Sequence, residues 1–167
     1  MQKYIKYFSK HRISVAQLLI TSEDLKEKKR KENIKNTYNH LKNKVIVIVN
    51  ENDATATEEL TIGDNDTLAS ELLITLNFDK LIILTEIGAL MKGRKKLTYS
   101  NFYKEYDYDN IKILEKGFGG LQSKLNAAKK ATKNKKKCII AKAGDNIIKI
   151  LQNKTSSTTF KYNPNLT

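Results

Sequence analysis

Five β-branched residues stand in a row at Val45-Ile46-Val47-Ile48-Val49, too continuous to alternate between a wet and a dry face. Such a run predicts a strand buried on both sides, as in a parallel sheet covered by helices. The polar segment Asn50-Glu51-Asn52-Asp53 follows where that strand would end. In an open α/β sheet this carboxyl edge is where ligands bind. Gly63 and the triplet Asp64-Asn65-Asp66 then lead into Thr67-Leu68-Ala69-Ser70-Glu71-Leu72-Leu73, which reads as a helix. Asp64, Asn65 or Asp66 has the short oxygen-bearing side chain that caps a helix start. The triplet therefore reads either as a cap and turn, or as half of a polar site built from two consecutive loops.

The rest of the chain repeats the alternation of apolar runs and helical patterns. Residues 1–11 predict the last turns of a helix with Tyr4, Ile5 and Phe8 on one side, and residues 13–20 (ISVAQLLI) predict a buried strand. Thr21 stands three residues before Asp24, the spacing of a capping box. The charged stretch that follows, to Leu41, carries Leu25, Ile34, Tyr38 and Leu41 at helical spacing. Strand, helix and strand in this order predict a βαβ unit. Further strands are expected at 80–85 and 138–141, and a short helix at 147–151. The tyrosine-rich segment 93–115 has no clear period and predicts an irregular insertion, and residues 163–167 predict a frayed tail.

A length of 167 residues with 40% hydrophobic content suits one domain with a proper core. No run approaches the roughly 18 apolar residues of a membrane span, and the basic N-terminus lacks a signal peptide's apolar stretch. The single cysteine, Cys138, lies beside Ile139 and Ile140 and predicts a buried core thiol in a cytoplasmic protein. The net charge of +13 suggests an anionic partner when taken alone. The lysines are spread along the chain, however, and no aromatic-interleaved basic motif accompanies them, so nucleic acid is not expected as the main partner.

A second motif is Gly117-Phe118-Gly119-Gly120-Leu121-Gln122-Ser123-Lys124, before an alanine-rich helix over 124–133. A glycine-rich turn running into a helix exposes backbone N–H groups at the positive end of the helix dipole, a natural phosphate site. A lysine in the first turn adds a charge that can follow a transferring phosphoryl group.

The stretch NENDATATEELTIGDNDTLAS (residues 50–70) closely resembles the glutamate-binding segment of glutamate 5-kinases, members of the amino-acid kinase family. There an NEND turn and a GDND turn face each other across the substrate. Residues 117–124 resemble the same family's GTGGM-x-T-K motif, with Phe118 in place of a threonine and Ser123 in place of the later one. The strand ending in Thr85-Glu86 resembles one that closes on a Thr-Asp pair contacting the nucleotide. Here Ala89 stands for a glycine and Met91 for an aromatic residue, and the family's Asp-Pro pair is missing from the following loop. A hydroxyl that merely finishes a strand is the alternative for Thr85.

The resemblance implies an α/β, three-layer α/β/α sandwich with a mainly parallel sheet, with residues 1–162 forming a partial amino-acid kinase domain. It implies transfer of a phosphoryl group from ATP to L-glutamate. Asn52, Asp53, Asp64 and Asn65 would hold glutamate. Asp66 and Lys124 would be catalytic, with Asp66 orienting the basic groups. Thr85, Glu86, Phe118, Gly119, Gly120, Leu121, Gln122, Ser123 and Lys124 would bind the nucleotide. Mg²⁺ would arrive with the nucleotide, since no all-protein cage is evident. The likeness starts after the family's first strand, its Lys-x-Gly-Ser loop and a later Ser-Gly-Ala turn, and an accessory C-terminal domain is also absent. Those elements would then come from a separate polypeptide, in a homo-oligomeric enzyme without membrane contact, or the chain is a remnant. Three other functions stay open: another carboxylate or nucleotide as acceptor, a non-catalytic ligand-binding subunit, and a basic protein binding RNA or DNA.

Overall fold

The computed structural model describes residues 1–55, 64–86, 88–92, 95–101 and 118–162. The chain divides into two compact units, Met1–Thr61 and Ile62–Thr167, each described here by itself.

The first unit is built on a βαβ crossover. Helix α1 (Gln2–Ser9) precedes β1 (Val15–Ile20); α2 (Ser22–Lys26) and α3 (Lys28–Leu41) lead to β2 (Ile46–Glu51). The two strands pair in parallel, with Val15 opposite Ile46 and Ile20 opposite Glu51. The predicted capping box is present: Asp24 N–H donates to Thr21 Oγ1 at 3.2 Å and Thr21 N–H donates to Asp24 Oδ2 at 2.7 Å. The long charged helix is interrupted, however. Glu27 adopts an extended conformation and its carboxylate accepts from the N–H groups of Lys29 and Arg30, starting α3 afresh. The strands are also less buried than their composition predicts. Only Ile20 of β1 is buried, β2 is half-buried at best, and Leu19 and Ile46 are exposed. A two-stranded sheet gives each strand one neighbour, so a continuous β-branched run is not by itself covered.

The capping box carries a pH signature. The Thr21 backbone N–H, followed by Arg30, whose Nη1 lies 2.9 Å from Oδ1, holds the Asp24 carboxyl below its ordinary value of 3.8, against some opposing desolvation. Its contribution is therefore fully present above pH 3.8 and is lost as the pH falls through the lower folded value. Thr21→Ala should cost about 1 kcal/mol in urea denaturation at neutral pH. The difference between wild type and Asp24→Asn should shrink on acidification below the carboxylate range.

In the second unit α4 (Asp64–Thr75) leads to β3 (Lys80–Thr85), followed by the short strands β4 (Met91–Lys92), β5 (Lys95–Lys96) and β6 (Tyr99–Asn101). Then come α5 (Phe118–Lys133), β7 (Lys137–Lys142), α6 (Ile147–Leu151) and β8 (Ser157–Lys161). The main sheet has the order β3-β7-β8-β6, with β3 and β7 parallel and β8 antiparallel to β7. Alternation along the strands gives the sheet two faces. Cys138, Ile140, Ile83 and Phe160 pack with Leu73 of α4 and with Leu125, Ala128 and Ala131 of α5. Ile139 and Ala141 pack on the other face with Ile150 of α6. This unit is thus three layers, α/β/α. Small alanines on α5 let the helix lie close to the sheet, and Asn146 caps α6 by accepting from the N–H groups of Ile148 and Lys149. Most of the irregular segment expected at 93–115, and the tail at 163–167, lie outside the described residues.

Candidate functional site

The helix pair α4–α5 assembles the polar groups. Leu68, Leu72 and Leu73 bury one side of α4, which leaves Asp66, in its first turn, turned toward α5. On α5 the buried stripe Leu125, Ala128, Ala131 fixes the helix rotation, so that Ser123 and Lys124 come to Asp66. Ser123 Oγ lies 2.8 Å from Asp66 Oδ2, and Lys124 Nζ donates to the same oxygen at 3.0 Å. Both also reach back to the Gly120 carbonyl, at 3.0 and 3.1 Å. The side chains of Lys124 and Asp66 retain 23% and 17% exposure, so the pair is held in place yet reachable from solvent. Lys124 has three N–H donors, of which these two contacts use two. A second ion pair, Lys130 with Glu71, ties the same helices together farther along.

The structure corrects the local reading in two places. Helix α4 already begins at Asp64, so Asp64, Asn65 and Asp66 form its first turn and do not cap it from outside. Acidic groups there are favoured by the helix dipole. Helix α5 begins at Phe118, so Gly119 and Gly120 lie inside the helix and Lys124 is in its second turn, not its first. A lysine's long stem is what carries its charge back to the Gly120 carbonyl.

Among the described residues, a methyl group on Gly120 would meet only the Lys124 ammonium, at 4.0 Å. Glycine is therefore not required there by packing, and in a helix it is less favourable than alanine by roughly 0.5–1 kcal/mol. Gly120→Ala should leave the thermal midpoint unchanged or raised while weakening ATP binding, read by nucleotide titration of the same sample. A midpoint that falls would return the glycine to a structural role.

Thr85 ends β3. Its Oγ1 accepts from Gly88 N–H at 3.0 Å and its carbonyl accepts from Ala143 N–H at 2.7 Å, leaving its hydroxyl proton for a further acceptor. Gly88, which the sequence did not single out, has φ of +79°, and a Cβ there would press on the Ser156 carbonyl at 3.0 Å. The signal was a glycine just past a strand end. Glu86 and Asn65 are exposed. Gln122 is held by Asn126 at 3.1 Å, and Leu121 packs against the core. The side chains of Asp64 and Phe118 lie outside the described residues. In the first unit, Asn52 N–H donates to the Ile20 carbonyl and the Asn52 carbonyl accepts from Thr55 N–H, a turn at the carboxyl end of β2 that leaves Asp53 exposed. The structure thus brings together Asp66, Gly120, Ser123 and Lys124. Cys138 is buried in the core, as expected. Burial first, and the charge of Asp66 second, push its thiol up to about 12, which keeps it protonated and inert. Among the described residues no group of three or more His, Cys, Asp or Glu side chains could hold a metal ion, and no helix is long and apolar enough to cross a membrane.

Comparison with known proteins agrees with this architecture. A glutamate 5-kinase from Dictyoglomus thermophilum is 39% identical over 150 residues, covering 86% of this chain and 40% of that protein. The enzyme of the same name from Clostridium acetobutylicum is 37% identical, covering 84% of this chain and 57% of its own length. The chain thus spans about half the length of the curated relatives it matches. Among solved structures, carbamate kinase from Giardia lamblia bound to AMP-PNP superposes with a TM-score of 0.66 at 19% identity, covering 97% of this chain and 67% of that one. UMP kinase from Ureaplasma parvum superposes at 0.56, with 11% identity, over 92% of this chain and 62% of its own. The sequence matches the amino acid kinase family over residues 1–142. With the α/β fold shared and the family pattern running through both units, the chain belongs to the amino-acid kinase family.

Proposed function

We propose that this chain carries the acceptor and phosphate-handling part of a kinase that transfers the γ-phosphoryl group of ATP to the side-chain carboxylate of L-glutamate, the first step toward proline. The observation that carries the reading is the cluster of Asp66, Ser123 and Lys124 over Gly120, together with the relatives' shared name. A carboxylate acceptor is already ionised near neutral pH and needs no general base. Its oxygen bonds to phosphorus as the bond to the bridging oxygen of ADP breaks in line, and the protein's work is positioning and charge neutralisation. Lys124 supplies a compact positive charge with an N–H still available, Asp66 fixes where that charge stands, and Ser123 adds a hydroxyl beside it. Gly120 leaves open the space beside the ammonium.

The resemblance gives the remaining roles. Asn52, Asp53, Asp64 and Asn65 hold glutamate, while Thr85, Glu86 and residues 118–123 hold the nucleotide. Mg²⁺ would accompany the nucleotide and would supply charge neutralisation at its phosphates. Residues 1–162 act as one partial kinase domain, in a cytoplasmic homo-oligomer. The active unit also includes the family's first strand and Lys-x-Gly-Ser loop. In support, β3 pairs only with β7 among the described residues, which leaves the apolar run Leu81-Ile82-Ile83-Leu84 at a sheet edge, where a strand invites pairing.

The test is glutamate-dependent acyl phosphate formation, trapped with hydroxylamine. It is run with the purified chain alone and with a polypeptide carrying the first strand and glycine loop, with aspartate, acetylglutamate and UMP as competing acceptors. Product with glutamate in either arm supports the reading. Ligand-induced stabilisation without product in both arms would make the chain a binding subunit, and another preferred acceptor would move it to a different branch of the family.

A further inference from the structure

The basic triplet Lys135-Lys136-Lys137 does not act as a unit. The Lys135 ammonium lies over the Tyr162 ring at 5.8 Å, and Lys136 donates to Asn77 Oδ1 at 2.6 Å. Lys137 instead joins a row across the sheet. Lys80 is its direct partner on β3, and Lys161 lies beside it on β8, one residue beyond the Cys138–Phe160 pair. Burial, then Lys161, then Lys80 hold Lys137 below the usual lysine value of 10.5. Three lysines thus stand side by side on neighbouring strands, and among the described residues no carboxylate pairs with Lys80 or Lys137.

The row borders a cleft of about 240 Å³ lined by Thr98, Asn153, Thr155, Ser157, Thr159 and Lys161. Ser157, Thr159 and Lys161 alternate along β8 and so share one face. Thr159 is opposite Ile139, which puts that face on the α6 side, the side to which Lys137 and Lys80 also belong. Asn153, at φ of +56°, reverses the chain after α6 and brings Thr155 to the cleft. Among the described residues the buried Thr155 hydroxyl finds no hydrogen-bond partner. An orphaned buried hydroxyl costs about 1–3 kcal/mol unless something bonds to it, so a ligand that did so would remove a standing penalty.

We propose that this cleft and its lysine row form a binding site for a small phosphate-bearing anion, on the sheet face opposite the Asp66–Lys124 cluster. Lys161 at the cleft, with Lys137 on the adjacent strand, matches a divalent phosphoryl group better than a monovalent carboxylate. The hydroxyls of Thr98, Thr155, Ser157 and Thr159 offer donors and acceptors to a short hydroxylated body attached to it. The volume lies below the roughly 300–1,000 Å³ of drug-sized pockets, which excludes a whole nucleotide and suits a phosphate monoester of a few carbons. Asp66 and Lys124 lie on the α4–α5 side, so the site does not depend on the proposed kinase activity.

The test is a titration of the full isotope-labelled chain at physiological salt, following backbone amides by NMR, with inorganic phosphate, glycerol 3-phosphate and a single-stranded oligonucleotide as separate probes. Saturable shifts at residues 153–161 are expected with the first two. Tighter binding of glycerol 3-phosphate assigns the site to an ester, and equal or tighter binding of phosphate to the free ion. Lys137→Gln should weaken binding about tenfold, the loss of one charge-assisted contact, and Thr155→Val several-fold. Should Lys137→Gln fail to fold, Lys161→Gln, at the cleft itself, makes the same comparison. Shifts that do not saturate, or that ignore these substitutions, would overturn the proposal. Stronger displacement of the same amides by the oligonucleotide would overturn it in favour of a polyanion surface.

Discussion

Lys124→Ala should lower glutamate-dependent acyl phosphate formation by on the order of 10²–10³, the usual loss when one preorganised electrostatic donor is removed. No other basic side chain among the described residues shares its contacts with Asp66 and the Gly120 carbonyl. Among the described residues the neighbours of its ammonium are a carboxylate, a carbonyl and a hydroxyl, and none of these brings a positive charge to a phosphoryl oxygen. The fold should survive the change. The pair with Asp66 is partly exposed, so its loss costs less than the about 3–5 kcal/mol of breaking a fully buried pair, and Asp66 keeps Ser123 as a donor. Rate and thermal midpoint measured on the same preparation separate the two effects. A rate that falls with an unchanged midpoint supports a role at the phosphates. A rate that survives would remove Lys124 from the chemistry and leave Asp66–Lys124 as a helix clamp. Asp66→Asn provides the complement: Lys124 keeps its charge but loses its tether, and the rate should fall by less than in Lys124→Ala.

The residues differ in how far the sequence alone disclosed them. Thr21 and Asp24 were legible because a capping box is a local device, fixed by spacing within one turn. The strand at 80–85 and the helix at 147–151 were legible because apolar runs and a following Asn-capped pattern are short-range signals. The break at Glu27 was not, since a glutamate capping its own neighbours looks the same in sequence as a glutamate on a helix face. Asp64-Asn65-Asp66 misled for a related reason: residues that cap a helix also suit its first turn, and only the position of the first hydrogen bond tells them apart. The burial of β1 and β2 depends on what covers them, which composition does not state. In the site, Asp66 and Lys124 were named from resemblance, but their meeting at 3.0 Å depends on how α4 and α5 rotate over the sheet. That rotation is set by Leu68, Leu73, Leu125 and Ala128, none of which carries any chemistry. The lysine row was hidden in the same way, because Lys80, Lys137 and Lys161 become neighbours only through strand register.

Phe160→Ala should destabilise the second unit by about 3–5 kcal/mol, the cost of emptying a fully buried aromatic site. The ring is 1% exposed and packs in one cluster with Leu125, Ala128 and Ala131 of α5 and with Cys138 and Ile140 of β7. Alanines on the facing helix have no longer side chain with which to fill the space. The match to the family covers residues 1–142, whereas β8 lies beyond it, so this substitution asks whether the last strand is integral to the kinase unit. The geometry says that it is: β8 pairs along β7 from Ala141–Ser157 to Cys138–Phe160, and Thr158 accepts from the Leu90 N–H at 2.8 Å. Urea denaturation should show the loss as a lowered midpoint, a large part of the roughly 5–15 kcal/mol that holds a typical domain together. Leu151→Ala, at a position 41% exposed on α6, should stay within about 0.5 kcal/mol of wild type. A cost below about 1 kcal/mol at Phe160 would mean that β8 is a dispensable edge. A cost in the expected range would mean that the helix presenting Ser123 and Lys124 is held in place by a strand beyond the family match.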